Sequence, residues 1–404
     1  MQHGQACRQK TGVAARDNVD MTVEEEERVC CCALNMLFGF EPRISHAIID
    51  TLGSASAVFG LDRAGLDEIF GPYSKYRHRI CRASVDSAAE ELENTYRAGG
   101  SFIGYTDRHF PALLKECPDA PSGLYYRSSL PVERIFGDRI CAGVVGTRDV
   151  SEYGKEWTGR IVSAMAACGA SPVVVSGLAY GVDVAAHRSA LAGSLDTVAV
   201  MATGIDSVYP WRHRQVAEDI CCHGALVSDF PLGTSPLKVN FLRRNRIIAG
   251  LCRSIVLVES RIRGGGMVTA GLAFSYGREV YALPGRADDP RSQGCNWLIR
   301  TGRAEAVFSA EDYVRSCGMG TVCRKRPVGP DEDMKMTYAG RASEENINGM
   351  SRILSVVRGH RGITLDDLCA ESGLTWSQMM EYVGHLEADG FLHVDFLQRC
   401  SIAR

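Results

Sequence analysis

Six short apolar runs, each closed by glycine or a small polar residue, fix what the middle of this chain can fold into. They are CAGVVGT from Cys141, PVVVSG from Pro172, TVAVMATG from Thr197, ALVSDF from Ala225, SIVLVES from Ser254 and EVYALPG from Glu279. Each is rich in Val, Ile, Leu or Ala, as a strand buried on both faces must be. Between them, KEWTGRIVSAMAACG, DVAAHRSALAG and MVTAGLAFSYG carry apolar residues at helical spacing. The alternation predicts an α/β fold, an extended Rossmann-like, doubly wound and mostly parallel sheet within residues 101–317. Ligands are then expected at the carboxyl ends of the strands.

The flanks read differently. Residues 1–22 lack apolar periodicity and carry Gln, Arg and Asp, the composition of a disordered leader. Segments such as ERVCCCALNMLFGF and RISHAIIDTLGSASAVFG make residues 23–100 a small all-helical domain. Residues 318–348 mix charges with Gly and Pro and read as a linker. Residues 349–404 read as helix, helix, a turn at Gly373, a longer helix and a strand, the order of a winged helix. The 16 cysteines include no C-x-x-C pair, and Cys30, Cys31 and Cys32 are contiguous, so they read as reduced core residues and no metal is expected. No apolar run approaches the length of a membrane span and no secretory signal is visible, which makes the cytoplasm the expected compartment, with no membrane partner.

Charge is distributed unevenly. The formal net charge is −3, yet from Lys238 to Arg263 the chain carries Lys238, Arg243, Arg244, Arg246, Arg253, Arg261 and Arg263 against one acid, Glu259. A solvated helix face usually mixes signs, because like charges one turn apart repel. A cationic ridge beside glycine-rich turns suits a polyanion track. Three turns supply phosphate-sized sites where a strand end opens a helix. They are Gly146, Thr147 and Arg148; the stretch from Ser176 and Gly177 to Asp183; and Gly265 and Gly266 leading to Thr269. Phe241 stands among the cations, and Tyr180, Tyr209 and Trp211 lie in other loops at strand ends. Rings beside a cationic track hold single-stranded nucleic acid by stacking, at about 1–3 kcal/mol per base. Any one such ring is more commonly core, and Phe241 is the expected exception.

The same turns argue against catalysis. G-x-G-x-x-G is absent, since the sixth residue from Gly264 is Thr269, and so is G-x-x-x-x-G-K-[ST]. Neither a dinucleotide nor ATP is indicated, and no cofactor is expected. Ser176, Asp183 and His187 lack the G-x-S-x-G elbow of a hydrolase. The simpler reading has Asp183 charging a helix start and His187 packing near the sheet. The chain is expected not to be an enzyme.

Taken in order, VVGTRDVSEYG, VVVSGLAYGVDVAAHRSAL, TVAVMATGIDSVYP, LVSDFPLGTSPLKVNFLRRNRIIAGLCRSIVLVES, GGGMVTAGLAFSYGREVYALPG and GCNWLIRTGRAEAV resemble the DNA-processing protein A family (DprA/Smf), over about Cys141 to Val307. The resemblance implies a Rossmann-like fold flanked by a SAM-like helical domain and a winged helix. It also implies single-stranded DNA as ligand, a homodimer, protection of incoming strands in natural transformation, and loading of the RecA recombinase. The family's phosphate motif falls on Gly146, Thr147 and Arg148, its second turn on Ser176, Gly177, Ala179, Gly181 and Asp183, and its arginine block on Arg243 to Ile248. The chain departs from the family pattern at Gly266, where serine is usual, and at Tyr180, where a basic or small residue is common.

Two alternatives stand beside this reading. One is a Rossmann-like nucleoside phosphate hydrolase with Glu259 as its carboxylate; the other is a non-DNA interaction scaffold whose ridge binds an acidic protein. In the C-terminal domain, TWSQMMEYVGHLEADG carries Glu381, Glu387 and Asp389 and neither Lys nor Arg. A helix that enters the major groove needs the opposite charge, so residues 350–404 are expected to form a protein-contact or regulatory module, with Trp376, Met379, Met380 and Tyr382 divided between its core and a partner surface.

Overall fold

Helix α1 (Val23–Phe38) is set by Thr22, which caps it in a reciprocal box with Glu25, and by an apolar stripe that includes Val29, Leu34 and Phe38. The computed structural model describes residues 22–321, 334–335, 337–360 and 362–403. The expected leader before Thr22 and residues 322–333 of the expected linker lie outside the described residues. Four further helices follow, α2 (Pro42–Leu52), α3 (Ala55–Phe59), α4 (Arg63–Phe70) and α5 (Arg82–Arg97). They keep no separate core: Leu34, Phe38, Ile48 and Leu92 belong to one continuous apolar cluster with Val175, Val227, Ile247 and Leu257.

The sheet has nine strands: β1 (Ser101–Gly104), β2 (Gly123–Arg127), β3 (Cys141–Val145), β4 (Val173–Ser176), β5 (Thr197–Val200), β6 (Gly224–Ser228), β7 (Ser254–Leu257), β8 (Glu279–Ala282) and β9 (Glu305–Ala306). Their order is β1-β2-β6-β5-β4-β3-β7-β8-β9. β3 to β9 run parallel, as expected, while β2 pairs antiparallel with both β1 and β6. Every residue of β4, β5, β6 and β7 is buried.

The connecting helices are α6 (Ala112–Lys115), α7 (Val132–Phe136), α8 (Glu152–Ala166), α9 (Val182–Ala192), α10 (Arg214–Cys222), α11 (Lys238–Leu251), α12 (Gly265–Ser275), α13 (Gln293–Arg300) and α14 (Ala310–Ser316). Ile161 of α8, Ala186 of α9 and Val314 of α14 pack on one face of the sheet with Val144 and Val256. Ile247 of α11 and Ala270 of α12 pack on the other with Val145 and Val175. Winding runs from β3 through β4 and β5 to β6 on one side and from β7 to β9 on the other. The reversal lies between β3 and β7, where open α/β sheets leave a crevice.

A second compact unit begins at Cys323. Its described residues include helices Glu344–Gly359, Leu365–Ser372 and Trp376–Ala388, and strands β10 (Ile363–Thr364), β11 (Leu392–Val394) and β12 (Arg399–Ile402), ordered β10-β12-β11. Gly373, at φ +64°, ends the second helix, and Thr375 caps the third. Only one of these strands is legible in the sequence; β10 spans two residues and shows no alternation. Met379 and Tyr382 enter the core with Leu354, Leu368 and Phe391, while Trp376 and Met380 stay outside it, 48% and 40% exposed. Gln378, the side chain best suited to read a base, is turned back into the cap, where its Oε1 accepts from the Thr375 hydroxyl at 2.7 Å.

Candidate nucleic-acid interface

Three loops meet at the carboxyl ends of β3, β4 and β7. The Thr147 N–H donates to the Glu259 carbonyl at 2.7 Å, and the Val182 N–H donates to the Thr147 carbonyl at 3.2 Å. The β3 turn is thus clamped between the other two. Gly181 permits the clamp: its φ is +78°, and a Cβ there would lie 2.2 Å from the Thr147 oxygen. A Cβ on Gly266 would lie 2.6 Å from a Leu257 methyl and 3.4 Å from Gly146 Cα, so glycine there lets α12 close on the end of β3. Arg148 and Gly265 are exposed and Gly146 and Thr147 half-buried, whereas Ser176, Gly177, Gly266 and Thr269 are buried. The Ser176 hydroxyl donates to the Val144 carbonyl at 2.7 Å and braces the sheet.

The arginines of α11 do not form the expected solvent-facing ridge. Asp229, just past β6, has a fully buried side chain that accepts from both Arg243 and Arg246 through Oδ2. Arg243 also lies over the rings of Phe40 and Phe230, at 4.5 and 4.7 Å from their centroids. Asn35 of α1 donates to the Asp229 carbonyl at 2.8 Å, and Arg246 donates to the Asp119 carbonyl. These cations therefore fasten the N-terminal helices to the sheet. Arg244 is buried too: it donates to the Val200 carbonyl at 2.6 Å and fills the space over Gly177, where a Cβ would lie 1.8 Å from its guanidinium. Burial pulls the Arg244 pKa down to about 10, opposed by Asp183 and reinforced by Arg148. Burial likewise pushes Asp183 up, and Arg244 opposes this. The acidic partner missing from α11 comes from ALVSDF, where an aspartate closes a buried run and requires a cation.

A smaller cationic and aromatic surface remains outside. The Arg148 guanidinium lies 5.1 Å from the Phe241 ring centroid, and Tyr209 meets the same ring edge-on at 5.5 Å. Phe241 is half-buried and Lys238, one turn earlier, is exposed. Tyr180, Tyr209 and Trp211 are 44%, 43% and 73% exposed, so none is a core ring. Tyr180 stands edge-on to His213, whose Nδ1 bonds the Leu178 carbonyl at 2.8 Å.

The groups considered for catalysis serve the interior. His187 is fully buried, its Nδ1 bonds Thr197 Oγ1 at 2.7 Å, and burial lowers its pKa to about 3. Glu259 is buried and accepts from the Ser151 N–H at 2.9 Å and from the Ser151 hydroxyl, fixing the start of α8. A carboxylate held in this way is not aimed at a sugar in the crevice.

Residues 101–318 match the model of a family described as DNA recombination-mediator protein A. The chain is 32% identical over 326 residues to a putative DNA processing protein DprA of Mycobacterium tuberculosis, covering 78% of this chain and 80% of that one. It is 40% identical over 240 residues to the protein Smf of Escherichia coli, covering 59% and 62%. The match to the protein Smf of Synechocystis is 37% identical over 227 residues and spans 56% of that relative's length. Among solved structures it is similar to DNA processing protein A of Streptococcus pneumoniae, with a TM-score of 0.61 and 27% identity over 72% of this chain and 97% of that one. With a matched span that runs from the first strand of the sheet to just past α14, the chain belongs to the DNA recombination-mediator protein A (DprA/Smf) family.

Proposed function

We propose that this protein binds single-stranded DNA along the carboxyl ends of the strands, with Phe241 as a base platform and Arg148 and Lys238 as phosphate contacts. The observation that carries this reading is the stack of Arg148 on Phe241, 5.1 Å from guanidinium to ring centroid, at the edge of a crevice. A base that takes the ring face leaves the guanidinium beside the backbone, where its planar fork suits a phosphate. The Gly265 N–H at the start of α12 and the half-buried turn at Gly146 and Thr147 offer further donors to the same strand. Arg243, Arg244 and Arg246 act indirectly, by holding the surface that carries Phe241 and Lys238.

The protein acts without covalent chemistry, since Ser176, Asp183, His187 and Glu259 are committed to internal contacts. By family resemblance it works in the cytoplasm as a homodimer that protects incoming strands in transformation and helps to load RecA. Among the described residues no helix is long and apolar enough to cross a membrane. The second unit is a winged helix whose acidic third helix suits a protein partner.

Phe241→Ala tests the platform. Single-strand affinity, read by fluorescence anisotropy, should fall by about 1–3 kcal/mol at both low and high salt, because stacking involves no counterion release. The melting temperature should hold, and duplex of equal length should bind more weakly than single strand. Equal affinity for duplex, or an unchanged affinity in the variant, would remove the basis of this reading.

A further inference from the structure

We propose that the outer edge of β1 is a docking site for an extended, basic segment of a partner protein, which joins the sheet as an additional strand. The proposal is independent of the DNA surface. β1 is the terminal strand of the sheet, and its four residues line a cleft of about 670 Å³. Ligand sites commonly measure about 300–1,000 Å³.

The pairing register shows which backbone groups face that cleft. In an antiparallel ladder, residues alternate between those bonded to their opposite number and those whose N–H and C=O point the other way. The Tyr105 N–H donates to the Ser122 carbonyl at 2.9 Å, continuing the register in which Ile103 lies opposite Leu124 and Ser101 opposite Tyr126. Ile103 and Ser101 are therefore spent on β2, and Phe102 and Gly104 point outward. The Gly104 carbonyl is taken by the Asp107 N–H at 3.0 Å. Among the described residues, that leaves the N–H and C=O of Phe102 and the N–H of Gly104 without a partner, a pattern that another strand satisfies. Natural sheet edges are usually blunted by proline, a bulge or an inward charge. β1, with the sequence SFIG, carries neither a proline nor a charged residue.

The charge of the cleft specifies the partner. Its lining carries Glu24, Glu27, Asp107 and Glu133 against Arg28 and Arg108. Asp107 is paired with Arg28 at 3.3 Å, and Glu27 accepts the Ala55 and Ser56 N–H groups at 2.6 and 2.9 Å. Glu24 is exposed, and Glu133, 58% exposed, meets the His109 Nε2 at 3.4 Å. These two carboxylates are available to lysines or arginines flanking the added strand. Strand addition draws affinity from main-chain bonds and specificity from such flanking contacts.

The test uses the full chain, hydrogen–deuterium exchange resolved to single amides, and a synthetic peptide of alternating Val and Thr with a Lys at each end, at millimolar concentration. Although Phe102 and Gly104 are largely buried, their unbonded amides should exchange faster than the β2-bonded amides of Ser101 and Ile103 in the protein alone, and slow by about tenfold or more when the peptide is added. The same peptide N-methylated at alternate residues should protect neither amide. Glu24→Lys combined with Glu133→Lys should weaken the peptide by about tenfold, while the melting temperature falls by no more than a few degrees, since each glutamate stands in the first turn of a helix. Amides protected as strongly as those of Ser101 and Ile103 without peptide, no protection on its addition, equal action of the methylated peptide, or indifference to the charge reversal would each overturn the proposal.

Discussion

Asp229→Ala is expected to destabilise the first unit by about 3–5 kcal/mol, the range for removing one side of a buried ion pair. Asp229 is fully buried and holds two guanidiniums that are themselves 7–10% exposed, so neither can turn to water without unpacking α11. The loss should appear as a fall in melting temperature on the order of 10 °C. Combining Asp229→Leu with Arg243→Met and Arg246→Met should recover most of it, since apolar replacement of an entire buried charge cluster is often neutral. A melting temperature unchanged by Asp229→Ala would mean that the arginines find solvent and that the cluster does not fasten the helices to the sheet.

Gly181→Ala should have the second largest effect and should reach the DNA surface as well. Its φ of +78° costs a non-glycine residue about 1–3 kcal/mol. The added methyl would also sit 2.2 Å from the Thr147 oxygen and 2.8 Å from the Arg148 carbonyl. The β3 turn must then move, taking Arg148 off Phe241. Single-strand affinity at fixed salt should fall more than about tenfold, together with stability. An alanine variant that melts and binds like the parent would show that the turns are not clamped as described.

The parts of the fold that the sequence announces are those whose burial demands one residue type. VVVS, TVAV and SIVL are buried at every position, so their composition alone marks them as strands. β1 and β2 are harder to read, because SFIG and GLYYR mix glycine and aromatics and take their strand character from pairing, β2 with β6 and β1 with β2. The helical region is legible as helices, but not its union with the sheet core, which depends on contacts such as Asn35 with Asp229 across almost two hundred residues. The candidate site divides in the same way. Arg148 and Lys238 are exposed and Phe241 is half-buried, whereas the three arginines of α11 share the residue type of a phosphate track and differ from one in having Asp229, Asp119 and Val200 as partners. Asp229 lies 14 residues before Arg243 and 17 before Arg246, outside the run that begins at Lys238, so charge counting over that run sees an uncompensated ridge. The aspartate at the end of a buried strand was the available sign.

The salt dependence of single-strand binding separates the surface cations from the buried ones. For the double variant Arg148→Ala with Lys238→Ala, the slope of log affinity against log salt should be shallower than the parent's by about 1.4, at about 0.7 for each phosphate that is no longer neutralised, with the melting temperature unchanged. A double variant that keeps the parent's slope and affinity would contradict the assignment of the DNA track to this edge of the sheet.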